Sequence, residues 1–262
     1  MNNIELIEMK IFATILILFV TSIILQGQSL DEILKKHFEA VGMEFLTKVQ
    51  TIQYNGTYVN HYLESFGYKI PETLLKTKFI LSVEKLKGYR LHMIGEIGDM
   101  TTGFFQGNYW IYQNGNLTEN WNPIDVDRRI IQQQIDLEGY LFDWERKGYK
   151  VVKLENSTLK NKNYYKIRLT TPENTTIWFY IDPNNNLISF KSFGGDLSDG
   201  KKHASVEFQN YKKVENINIP FKRIQTELTL NGSYGETDIL ISEVQINPKF
   251  DSDIFRPIFK NH

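Results

Sequence analysis

Apolar residues recur at helical spacing in the first part of the chain. Leu30, Ile33, Leu34, Phe38 and Val41 fall on one stripe, with Lys35, Lys36 and Glu39 off it. Ser29 and Glu32 stand three apart just before the stripe, the spacing of a capping box, so a helix is predicted to begin at Leu30. Gly42 ends or kinks it, and Phe45, Leu46 and Val49 continue the apolar face. After Gln50 the period changes to two. Strands are predicted at 50–60, 74–83, 88–96, 100–106 and 108–114, rich in Tyr, Phe, Ile and Thr and divided by turns with Gly or Asn. Asn114-Gly115 is a hairpin signal.

Residues 124–146 interrupt this pattern. Val126, Ile130, Ile131, Ile135, Leu137, Leu141 and Trp144 predict one helix, broken near Gly139. Strands resume at 149–155, 163–170, 175–182, 186–193, 202–211, 219–230 and 236–247, and the tail from Asn247 to Phe255 reads as a short irregular lock. That is about eleven or twelve strands and two helical segments, with no linker rich in Pro, Gly or Ser. So many antiparallel strands in one domain must curl into a barrel or split into two sheets. A barrel this wide has an interior that side chains alone do not fill, and helices with an apolar stripe could plug it.

Ahead of the first helix, Ile11 to Leu25 is an unbroken apolar run in which only Thr and Ser are polar. It is shorter than the roughly 20 residues of a bilayer span and matches the core of a secretory signal. Met9-Lys10 immediately before it makes a conventional start, and cleavage is expected near Gly27 or Gln28. Residues 1–28 are therefore read as a signal peptide and 29–262 as one domain. The chain has no cysteine, hence no disulfide and no acyl-accepting residue after the apolar run. Export without cysteine points to a bacterial periplasm and to a soluble mature protein that is not lipid-anchored.

Charge and motifs exclude more than they select. Thirty basic residues against 31 acidic ones leave a net charge of -1, with none of the basic excess that nucleic acid would need. His37, His61, His92, His203 and His262 are scattered, and each is expected to be an ordinary solvated histidine. There is no nucleophile elbow, phosphate loop or zinc-protease motif. Gly194 to Gly200 reads as a flexible hairpin turn, and Asp125 and Asp127 as helix-start acids. No catalytic residue, metal or cofactor is expected.

Aromatic content is the unusual feature, at 13% of residues. Core filling explains most of it; the other reading is an apolar, aromatic-lined ligand pocket. Alternation places Phe79, Leu81, Tyr89, Leu91 and Met93 on one face, with Lys78, Arg90 and His92 on the other. This face is the nearest in sequence to the helix stripe. Trp110, Tyr112, Trp178 and Tyr180 complete the expected lining of a cavity.

Four stretches carry a family resemblance. They are Lys48 to Thr57 after the exported helix, Gly107 to Tyr112 before the central segment, Tyr164 to Leu169 with Thr176 to Pro183, and Tyr211 to Pro220 with Ile246 to Phe255. In this order they resemble the LolA/LolB-type lipoprotein carrier superfamily, in the variant called outer-membrane lipoprotein-sorting protein. The resemblance implies a mainly β, α+β fold: an incomplete antiparallel barrel closed by helices around an apolar cavity. It implies a monomeric, non-enzymatic periplasmic carrier whose partners are lipid or lipoprotein acyl chains and membrane transfer partners of the envelope. Two other classes stay open, a packed structural or sensing module of the envelope and a hydrolase with dispersed site residues.

Overall fold

A computed structural model of the chain describes residues 28–61, 75–96, 98–119, 135–228, 234–251 and 253–257. The apolar run at 11–25 and residues 124–134 of the expected central helix lie outside them.

Ser29 caps helix α1 (Leu30–Val41) as its spacing predicts. Its hydroxyl accepts the Glu32 amide at 3.2 Å, and its own amide donates to Glu32 Oε2 at 2.9 Å. Gly42 ends α1, and a short second helix, α2 (Met43–Leu46), buries Met43 and Leu46.

Among the described residues, fourteen strands follow in one antiparallel sheet. The first group is β1 (Thr51–Asn60), β2 (Lys76–Glu84), β3 (Gly88–Gly95), β4 (Gly98–Phe105), β5 (Asn108–Gln113) and β6 (Asn116–Glu119). The second is β7 (Lys150–Lys153), β8 (Ser157–Leu159), β9 (Lys162–Thr170), β10 (Thr176–Ile181), β11 (Ile188–Phe193), β12 (Ala204–Val214), β13 (Ile217–Leu228) and β14 (Tyr234–Ile246). Within each group successive strands pair antiparallel as a meander, except that β7 and β8 both pair with β9. The last strand joins the groups by pairing with the first, Ile52 opposite Ile246 and Tyr58 opposite Ile239. The order runs β6-β5-β4-β3-β2-β1-β14-β13-β12-β11-β10-β9-β7, with β8 beside β7 along β9.

Among the described residues β6 and β7 are edges, so the sheet is open, not a closed barrel. It also exceeds the expected strand number. The two unexpected strands, β6 and β8, have four and three residues, too few to display a period of two. Where the central helix was expected, residues 136–148 form turns. Gly139, Asp143 and Gly148 all take left-handed φ there, which no continuous helix passes through. Ile135 and Leu141 are still buried, so the apolar positions from 135 onward face the core without a helix.

The helices lie on the inner face of the sheet and meet both halves of it. Ile33 and Leu34 pack with Ile167 and Leu169 of β9 and with Ile177, Phe179 and Ile181 of β10. Met43 and Leu46 pack instead with Ile52, Phe79, Tyr89 and residues of β13 and β14, and Phe38 borders both clusters. The stripe of α1 therefore rests mainly on the second meander, not on the β2–β3 face nearest in sequence. His37 corrects another expectation: it is 5% exposed, not solvated. Its Nδ1 donates to the Asn186 carbonyl at 2.9 Å, and burial lowers its pKa to about 4.

Candidate functional site

Strand parity decides which aromatics share a face. Phe79 and Leu81 on β2 stand opposite Met93 and Leu91 on β3, and Tyr89 stands opposite Val83. All five belong to or border the cluster that holds Met43, Leu46 and Ile52. Phe79 and Tyr89 are buried, whereas Leu81, Leu91 and Met93 are half-buried. Tyr54, Tyr58, Phe104 and Ile111 border the same cluster and are also half-buried. Gly56 makes this surface possible. A Cβ there would come within 2.6 Å of the Phe79 ring, and without it Phe79 reaches over β1 to lie 4.6 Å from the Tyr58 ring. The first meander thus offers a continuous apolar face whose outer members keep part of their surface free.

The other four expected lining residues stand elsewhere. Trp110 and Tyr112 pair across from Gly103 and Thr101, on the face that also carries Arg90 and His92. That face is covered by the carboxyl-terminal tail. Trp110 is buried against it, in a space that exists because residue 103 is glycine: a Cβ there would lie 2.4 Å from the indole. His92 meets the Thr101 hydroxyl at 2.8 Å on this side. Trp178 and Tyr180 also alternate away from the inner Ile177 and Phe179, and they form a separate cluster with Tyr164 and Phe190.

The Gly194 to Gly200 turn, expected to be loose, organises that second outer cluster. Asp196 accepts from Tyr180 Oη at 2.7 Å, from Lys166 Nζ at 2.8 Å and from the Ser198 amide at 2.9 Å. Burial alone would raise its pKa, but Lys166, Ser198 and Tyr180 outweigh burial and hold the carboxyl well below the usual range. His203 contacts Asp199 nearby at 2.9 Å. Among the described residues no group of three His, Asp or Glu side chains could hold a metal ion.

Two inner-face cations carried no sequence signal. Arg223 on β13 stands opposite Phe208 and Ile239, and Lys191 on β11 stands opposite Phe179 and Val206. Arg223 lies 5.8 Å from the Tyr54 ring centre and hydrogen-bonds its hydroxyl. The Lys191 ammonium lies within 6.0 Å of the ring centres of Phe193, Tyr140 and Phe208. Burial, and then the charge of Arg223, lower the pKa of Lys191 to about 8. Only parity could have found them: Phe221 lies two residues before Arg223 and Phe193 two after Lys191, each on the same strand face as the cation.

Comparison with solved structures places this arrangement. A LolA superfamily protein from Nitrosomonas europaea superposes with a TM-score of 0.56 at 11% identity, over 88% of this chain and 99% of that one. The chain has a LolA-like fold. A domain of a putative outer membrane lipoprotein-sorting protein from Vibrio parahaemolyticus gives 0.53 at 8% identity, over 84% of this chain and 97% of that one. A DUF1329 family protein from Desulfovibrio piger gives 0.55 at 10% identity, over 85% and 96%. No family model and no curated protein matches the LolA-like chain in sequence. Identities this low carry the fold alone.

Proposed function

We propose that the mature protein is a soluble periplasmic carrier that shelters lipid or lipoprotein acyl chains on the inner face of its sheet, and acts in outer-membrane lipoprotein sorting. The observation that carries this reading is the half-buried apolar margin of Tyr54, Tyr58, Leu81, Leu91, Met93, Phe104 and Ile111 around a buried floor. The second meander differs: α1 covers it, and Ile167, Leu169 and Ile181 have no exposed surface. One half of the face is thus occupied by the protein's own helix, and the other has apolar surface to offer.

Physical chemistry makes such a surface useful. Transfer from water stabilises an acyl chain by about 0.8 kcal/mol per CH₂, so a long chain cannot cross an aqueous space unsheltered. A carrier need only approach the bilayer's own affinity, and a half-open apolar face does so while still releasing its cargo. The LolA-like fold and the superposed lipoprotein-sorting domain are consistent with this role. In this reading residues 1–28 direct export, the mature domain works as a monomer, membrane-bound envelope proteins are its transfer partners, and no residue is catalytic. Among the described residues no helix is long and apolar enough to cross a membrane.

A paired substitution tests the site. Leu91→Glu places a carboxylate among acyl carbons and is expected to abolish binding of a fluorescent fatty-acid probe. Arg90→Glu, one residue away on the opposite face, is expected to leave binding intact. Circular dichroism checks that both fold. Equal binding by the two folded variants contradicts the proposal.

A further inference from the structure

We infer that Lys191 and Arg223 form a head-group site at the margin of the acyl-chain face, and that the ligand is an amphiphile with an anionic head, a carboxylate or a phosphate ester. This deepens the acyl-chain reading above and rests on it.

The first ground is the contrast with the protein's ion-paired lysines. Lys85, Lys147, Lys160, Lys166 and Lys222 each have a carboxylate oxygen within 2.9 Å. Lys191 and Arg223 make no ion pair among the described residues, although both point inward and both lie among aromatic rings. The second ground is Arg223 Nε, a buried donor with no hydrogen-bond partner. Buried donors are nearly always satisfied, and a charged one left open is costly. The two cations meet around Phe208, which stands opposite Arg223 and whose ring centre lies 6.0 Å from the Lys191 ammonium, so their like charges repel. Such a pair is stabilised by an anion lying between its members.

Geometry supplies the rest. The rings of Tyr140, Phe193 and Phe208 hold the ammonium by cation–π attraction and do not use its N–H donors. A guanidinium presents a planar fork that matches a carboxylate or phosphate. Arg223 adjoins Tyr54, and Ile239, opposite Arg223, pairs also with Tyr58, whose ring meets Phe79. From the head site the apolar path to Leu81, Leu91 and Met93 is therefore continuous. Glu227, on the same face of β13, is exposed at the strand end, receives a hydrogen bond from Gln225 and pairs with neither cation. An uncharged lipid would cover the apolar face and leave both charges without an anionic partner.

The test compares three ligands with the same chain: hexadecanoate, hexadecyl phosphate and hexadecanol, each displacing a neutral fluorescent acyl probe from the full-length mature protein. Hydrogen bonds to charged groups predict that the two anions bind about tenfold to a hundredfold more tightly than the alcohol. The preference is expected to disappear in the double variant Lys191→Met, Arg223→Met, with folding checked by circular dichroism. Equal affinity for all three ligands in the unmodified protein overturns the head-group site and leaves the acyl-chain reading standing. Binding of none of them overturns both. Inorganic phosphate binding as tightly as hexadecyl phosphate identifies a free-anion site and overturns the amphiphile.

Discussion

The indole nitrogen of Trp110 donates to the carbonyl oxygen of Phe255 at 2.9 Å, joining residues 145 apart in sequence. Around this bond the tail closes over the outer face of β3 to β5. Arg90 donates to the Ile254 carbonyl at 3.4 Å, and the Phe255 ring stacks on Phe105 and meets Phe250 edge-on. Trp110 is therefore the anchor of a lock, with its ring held away from the inner face.

Trp110→Phe removes the donor and the pyrrole part of the buried ring system. It is expected to cost about 1–3 kcal/mol, because the Phe255 carbonyl loses its buried partner. Gly103→Ala is expected to cost at least as much, since its Cβ would overlap the indole. Urea denaturation of both variants checks this, and neither should change acyl-probe affinity, because both changes lie on the outer face.

His37 predicts an acid-labile fold. Its native pKa, lowered to about 4 by burial, lies below the ordinary value of 6.5. Between those values the unfolded chain takes up a proton that the native protein refuses, so stability is full above pH 6.5 and falls as pH drops toward 4. The loss approaches about 3 kcal/mol at the lower end of that window. His37→Gln keeps a donor for the Asn186 carbonyl and removes the titration. Its stability profile between pH 4 and 6.5 should be flatter than that of the unmodified protein in matched denaturant melts.

How far the sequence could be read follows from particular elements. Ser29 and Glu32 announced α1 because a capping box is local chemistry, complete within four residues. The period of two on β2 and β3 placed Phe79, Leu81, Tyr89, Leu91 and Met93 together because alternation is set by the backbone. Trp110, Tyr112, Trp178 and Tyr180 were grouped with them for being aromatic, against their own parity. Parity alone would have preferred Tyr109 and Ile111 on β5, and Ile177 and Phe179 on β10. The misreading has a physical source: each face of this sheet is covered in part, the inner by α1 over the second meander and the outer by the tail over Trp110 and the Asp196 turn beside Tyr180. An outward aromatic is then as buried as an inward one. Lys191 and Arg223 were invisible for the converse reason, since a cation on an apolar face looks like an ordinary polar position until its register is known.

The proposed export gives a prediction at the amino end. The Ser29 cap is formed by both of its hydrogen bonds, so a mature chain that begins beyond Ser29 would lose about 1 kcal/mol of helix stability. Cleavage is therefore expected near Gly27 or Gln28, leaving Ser29 in place. Amino-terminal sequencing of the protein from the periplasmic fraction checks it. A chain still beginning at Met1 or Met9 contradicts the signal-peptide reading.

The most direct test needs no variant. The unmodified protein, purified from an envelope fraction without detergent, is denatured, and the small molecules it releases are identified by mass spectrometry. An acyl-chain carrier is expected to release lipid in near-stoichiometric amount, and delipidated protein should rebind an acyl probe. Protein that releases no lipid and binds no acyl probe contradicts the carrier function and leaves a packed module of the envelope in its place.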